Sequence, residues 1–419
     1  MKVSIYIAIA SLLAASAAQA APTPEQVAEA ALRASPVWDG HNDVPEQLRD
    51  RYNDVIGGFD FRDTTNTADP AKGKIAMHTD LARLRQGRVG AQFWSVYVSA
   101  SLPEPQAVQA TLEQIDVTKR LIARYPNDLA LCTSAAEVEA AMKAGRVASL
   151  MGMEGGGSIG GSLAVLRQMY ALGARYMTLT HFRTLAWADA ATDAPKHDGL
   201  TPFGVDVVRE MQRIGMLVDL SHVSDATMRD ALDVAKAPVI FSHSGARAVA
   251  DDPRNVPDEV LDRLKINGGI VMLVTLPSYV SNAVRDRGLR RIAEKARLDE
   301  LYVNDPPRAK AALDSWDQAN PAPRATLAQL ADHIDHIAKR AGVDHVGLGG
   351  DFDGMATTTE GMDDVAGYPA LFAELARRGY SQGDLRKIAS GNMLRVLKAA
   401  EAYAAAHKAD PPIESPTAF

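Results

Sequence analysis

A single cysteine, Cys132, stands in 419 residues. It has no partner for an internal disulfide, so the fold must rest on a large hydrophobic core. No cysteine follows the N-terminal apolar segment to accept a lipid, and no later apolar run reaches the ~20 residues a membrane span needs. Basic runs dense enough to track phosphates are also missing, and the formal charge is −7, which speaks against nucleic acid as a partner. No internal sequence repeat and no low-complexity tract interrupts the chain between its two ends.

What is there begins with a leader. Met1 and Lys2 form a short positive segment, residues 5–15 are apolar, and Ala18-Gln19-Ala20 before Ala21 is a small-residue cleavage site. Residues 1–20 are expected to be a secretory signal cleaved after Ala20, residues 21–410 one catalytic unit, and residues 411–419 a polar tail. The mature protein is expected to be exported, without a stable membrane anchor.

Strand-like apolar runs then alternate with helical patterns: 37–41, 89–98, 147–153, 176–180, 217–221, 239–242, 269–274 and 345–349. Eight such units predict an α/β fold with a closed parallel sheet, a (β/α)8 TIM-type barrel, with an open doubly wound sheet as the competing architecture. Residues 277–324 break the rhythm after the seventh strand and read as a charged helical insertion, either a lid or a solvated excursion. In a barrel, chemistry sits at the carboxyl ends of the strands. The residues there are His41 and Asp43, Glu154, His181, His222, His243 and Asp351.

His41 and Asp43 share one face of an extended strand and present an imidazole nitrogen beside a carboxylate, a donor pair suited to a borderline divalent ion. Glu154 precedes three glycines and has two oxygens able to bridge two ions. Val218-Asp-Leu-Ser-His222 and Val239-Ile-Phe-Ser-His243 are near-duplicates on consecutive strands, which places two imidazoles side by side. Singly these are weak signals; together they point to a metal centre. Other groups read as structural. Thr79 or Asp80 in His78-Thr-Asp80 caps a helix, and His333 and His336 lie opposite the Leu330/Ile334/Ile337 stripe and should be solvated. Asp353 is a rival to Asp351, Arg247 is a candidate guanidinium for an anion site, and Trp187 and Tyr279 are candidates for the pocket wall.

From residue 37 to residue 397 the motifs Asp39-Gly-His-Asn-Asp, Gly152-Met-Glu-Gly, Leu179-Thr-His, Asp219-Leu-Ser-His, Phe241-Ser-His-Ser, Arg254-Asn-Val-Pro-Asp and Gly349-Gly-Asp-Phe-Asp-Gly resemble the membrane (renal) dipeptidases of the amidohydrolase-type barrels. The resemblance implies two zinc ions, one on His41, Asp43 and Glu154, the other on the bridging Glu154, His222 and His243. It implies His181 and Arg254 as substrate-binding positions, Asp351 as the acid/base that also meets the substrate, and a homodimer. Small peptides are the expected substrates, hydrolysed through a metal-bridging hydroxide with tolerance of D-residues at the C-terminal position. The rival reading keeps the barrel and its metals but takes another amide, lactone or ester.

Overall fold

The computed structural model describes residues 21–418; the expected leader, residues 1–20, lies outside the described residues. Nine strands form one parallel sheet: β1 Val37–Asn42, β2 Val89–Tyr97, β3 Leu129–Leu131, β4 Val147–Glu154, β5 Ala174–Thr178, β6 Leu217–Asp219, β7 Ile240–Ser244, β8 Ile270–Leu273 and β9 Val346–Leu348. Pairing runs β2-β1-β9-β8-β7-β6-β5-β4, and β2 also pairs with β4, which closes an eight-stranded ring. The fold is a TIM-type (β/α)8 barrel.

The ninth strand, β3, has no counterpart in the sequence reading. It pairs with the first three residues of β4, on the flank that β5 takes over from Met151 onward. Three residues are too few to show a period, and Leu131 is exposed.

The strands are buried on both faces, as parallel sheets covered by helices must be. Phe93, Leu150, Tyr176, Leu217, Ile240, Ile270 and Met272 form a cluster of their own, contributed by successive strands and joined by Met393 and Leu397 of the last helix. A larger cluster lies between the strands and the outer helices. Helix Pro202–Ile214 shows how the local sequence builds that layer. Thr201 accepts from the Gly204 N–H at its start, Pro202 suits the first turn, Val207, Val208 and Met211 face inward, and Gly215 ends it in the left-handed region at φ 86°.

The insertion after β8 is helical, as expected: Pro277–Val280, Asn282–Leu301 and Pro306–Ala319. Its two long helices are tied together by Arg287 and Arg291 on Asp317. Asp80 caps helix Leu81–Gln86 by accepting from the Arg83 N–H. One expectation is overturned: His333 is fully buried rather than solvated. Its Nδ1 accepts from the Ala246 N–H at 2.9 Å and its Nε2 donates to the Val280 carbonyl at 3.1 Å, because the loop after β7 and the start of the insertion both cover that face. His336 is half-buried and meets Asp258 at 2.6 Å. Among the described residues no helix is long and apolar enough to cross a membrane.

Candidate metal centre

The carboxyl ends of β1, β4, β6, β7 and β9 converge on Glu154. Its Oε2 lies 3.5 Å from His41 Nε2, and its Oε1 lies 3.1 Å from His222 Nε2, 3.4 Å from His243 Nε2 and 3.7 Å from His181 Nε2. His41 Nε2 is 3.4 Å from Asp43 Oδ2, and the two Nε2 atoms of His222 and His243 are 2.9 Å apart. In each of the groups His41/Asp43/Glu154, Glu154/His222/His243 and His41/His243/Asp351 the ligand atoms lie within 4.8 Å of one another. Every side chain expected at the site is thus brought to one place, with Arg254 and Asp351 on the wall of the same cleft.

The barrel interior aims these rings. His41 Nδ1 lies 2.9 Å from the Tyr176 hydroxyl, which also has the Gly40 carbonyl within reach as an acceptor at 3.4 Å. With Nδ1 donating to that hydroxyl, the imidazole would present Nε2 to an ion beside Glu154. His243 is set in the same way. Ser242 Oγ donates to Asp219 at 2.6 Å and accepts from His243 Nδ1 at 2.8 Å. Gly152 makes the Tyr176 contact possible, since a Cβ there would stand 2.0 Å from the Tyr176 ring. His222 leaves β6 in the left-handed region, φ 68°, a conformation that costs a non-glycine residue about 1–3 kcal/mol and persists at sites that need it.

The donor set fits divalent ions. His41 Nε2 and Asp43 Oδ1 are buried with no hydrogen-bond partner among the described residues, and the cleft wall carries Asp43, Glu46, Glu154 and Asp351 against one guanidinium, Arg254. Carboxylates gathered this closely, Asp43 and Glu154 buried and Glu46 and Asp351 partly so, call for cationic compensation. Burial, followed by neighbouring positive groups, holds His222 and His243 well below the usual imidazole range, the neutral form a metal requires. Burial works to raise Glu154, but His41 and His181 outweigh it and hold the carboxyl well below its usual range. Burial and the Asp43 charge hold Asp351 well above the usual carboxylate range, as suits an acid/base.

Arg254 is 1% exposed, and its Nε and Nη1 have no partner among the described residues, while Nη2 reaches the His243 carbonyl at 3.4 Å. Arg247, the other candidate guanidinium, is occupied by Asp225 and the Pro253 and Asn255 carbonyls. The Tyr279 ring lines the cleft, 5.2 Å from the Arg254 guanidinium, whereas Trp187 is not part of the lining and is buried against Phe203. Glu46, Tyr97, Phe182 and Leu276 complete the wall without having been singled out. Glu46, in the first turn of the helix that follows Asp43, and Tyr97, at the end of β2, carried a positional signal; Phe182 and Leu276 carried none.

A parallel barrel with histidines and carboxylates gathered at its carboxyl rim is an arrangement that metal-dependent hydrolases use. The sequence profile of the membrane dipeptidases, peptidase family M19, matches residues 25–411. Dipeptidase 3 of Macaca fascicularis is 40% identical over 393 residues, spanning 93% of this chain and 70% of that protein. The probable dipeptidase PvdM from Pseudomonas aeruginosa superposes with a TM-score of 0.76 at 23% identity, covering 91% of this chain and 99% of that one. A metallopeptidase from Rhodobacter sphaeroides, solved with a phosphinate mimic of the dipeptide L-Ala-D-Ala, superposes with a TM-score of 0.69 at 24% identity, covering 87% and 99%. The chain belongs to the membrane dipeptidase family, M19, and is a metallo-dipeptidase.

Proposed function

We propose that the protein is an exported, periplasmic dizinc dipeptidase that hydrolyses dipeptides bearing a free C-terminal carboxylate and accepts D-residues at that end. His41, Asp43 and Glu154 would hold one ion, and Glu154, His222 and His243 the other. Bound there, the metals supply Lewis acidity, polarising the scissile carbonyl and acidifying water. His181, buried on the cleft wall, donates to the oxyanion of the tetrahedral intermediate, where one preorganised donor contributes about 10²–10³ in rate. Asp351 takes a proton from the attacking water and returns it to the departing amine. Arg254 receives the substrate carboxylate in its planar fork.

The free guanidinium edge of Arg254 carries this reading. A buried arginine with two unpartnered donors beside the ligand cluster is matched by an anionic substrate group, and a neutral lactone or ester offers none. The L-Ala-D-Ala mimic held by the Rhodobacter sphaeroides enzyme supports tolerance of a D-residue. The family resemblance supports a homodimer, which size-exclusion chromatography with light scattering would test. The decisive experiment is metal content by elemental analysis, paired with amino-acid release from L,L- and L,D-dipeptides. About two zinc ions per chain with chelator-sensitive release is the expected result. Two metals without release from any dipeptide would move the substrate to another class, and no metal under zinc-replete conditions would overturn the site.

A further inference from the structure

The His78-Thr-Asp80 segment has a connection that helix capping does not use. It belongs to the excursion between β1 and β2 and lies over the turn that follows β9. There the two chain segments grip each other reciprocally. The His78 N–H donates to Asp353 Oδ1 at 2.7 Å, and the Asp353 N–H donates to His78 Nδ1 at 3.0 Å. Both side chains are buried, and Gln47 Nε2 donates to the Asp353 carbonyl at 2.7 Å, so Asp353 is held at its amide, its carboxylate and its carbonyl.

What this grip restrains is the turn that presents Asp351. Asp351 and Asp353 both adopt left-handed backbone, φ 62° and 69°, and neither is glycine. Two such residues within three are unfavourable unless the surroundings impose them. On one side the turn is bound to the metal-ligand strand: the Asp351 N–H donates to the His41 carbonyl at 3.1 Å, and the Asp43 N–H donates to the Phe352 carbonyl at 2.9 Å. On the other side the reciprocal pair supplies the restraint. Asp353 itself is not among the residues lining the cleft.

We propose that His78 and Asp353 form a latch that fixes the Asp351 carboxylate over the metal cluster, making both of them positioning residues for the hydrolysis. The inference rests on the acid/base role assigned to Asp351 above. Asp353 serves through hydrogen-bond geometry rather than charge, so an amide should replace its carboxylate.

The test compares Asp353→Asn, Asp353→Gly, His78→Leu and Asp351→Asn in the full-length zinc-loaded enzyme, with competent sites counted by titration with a phosphinate dipeptide mimic. Glycine tolerates φ 69°, so Asp353→Gly keeps the fold while deleting the half of the latch made by the carboxylate, and His78→Leu deletes the half accepted by His78 Nδ1. Expected are unchanged metal content and KM, a kcat per titrated site lowered ~10–100-fold in Asp353→Gly and His78→Leu, and a kcat within about threefold of the parent in Asp353→Asn, since a small misplacement of a reacting group costs up to about 10² in rate. A parental kcat in Asp353→Gly, or an equal loss in Asp353→Asn, would overturn the latch. So would a rate loss that merely tracked lost zinc. Retained activity in Asp351→Asn would instead overturn the acid/base assignment.

Discussion

Tyr176 never enters the cleft, yet its hydroxyl is the group that holds His41 Nδ1, at 2.9 Å inside a fully buried barrel interior. Burial raises its phenol well above the usual range, so the hydroxyl stays neutral at any working pH. Tyr176→Phe removes only that oxygen and leaves the His41 Nδ1–H without a partner where water cannot reach it. An orphaned buried donor costs about 1–3 kcal/mol. Loss of a partner that orients a metal ligand lowers affinity about 10–100-fold, equivalent to about 1.4–2.7 kcal/mol. The first figure lowers folding stability, and the second sets the loss of metal affinity. The expected outcome is zinc affinity weakened within that range, with most of the turnover restored at saturating zinc because no reacting group has moved. Chelator competition gives the affinity, and turnover against buffered free zinc gives the recovery. An unchanged affinity with a fall in kcat that zinc does not restore would refute the argument.

Gly152→Ala should weaken zinc binding in the same direction, since its Cβ would stand 2.0 Å from the Tyr176 ring and push the hydroxyl off His41; parental affinity in that variant would show that the ring has other room. Arg254→Ala should lower kcat/KM for a dipeptide by about 2–3 kcal/mol while barely affecting the matching dipeptide amide, the magnitude of a charge-assisted hydrogen bond; an equal loss on both would remove the carboxylate clamp. His333 bears on stability. Burial lowers its pKa from 6.5 to about 4, so the folded chain resists a proton that the unfolded chain takes. Its contribution is complete above pH 6.5, falls as the pH drops toward 4, and amounts to about 3 kcal/mol over that window. Denaturant unfolding of the parent and His333→Asn should therefore converge as the pH falls from 7 to 4, and a constant gap between them would contradict it.

What the chain discloses locally and what it conceals divide along sequence separation. The rim residues were legible because two short-range signals coincide: a strand's period of two ends at a known rim, and the side chains at those ends are of ligand type. No distant partner is needed to notice that Ser-His closes two consecutive apolar runs. The groups that aim those ligands leave no such trace. Tyr176 reads as one more apolar strand residue until Gly152 is seen to vacate the space it occupies and His41, 135 positions away, is found on its hydroxyl. His333 failed for the same reason. Its own helix does place it off the Leu330/Ile334/Ile337 stripe, but the Ala246 N–H, 87 residues away, and the Val280 carbonyl, 53 residues away, bury it from another side. A helical wheel counts one buried face, whereas a helix under an insertion has two. The reciprocal pair of His78 and Asp353 spans 275 residues, so each half reads alone as turn chemistry. Only the closure of the barrel, which brings the β1 excursion over the end of β9, turns two caps into one support.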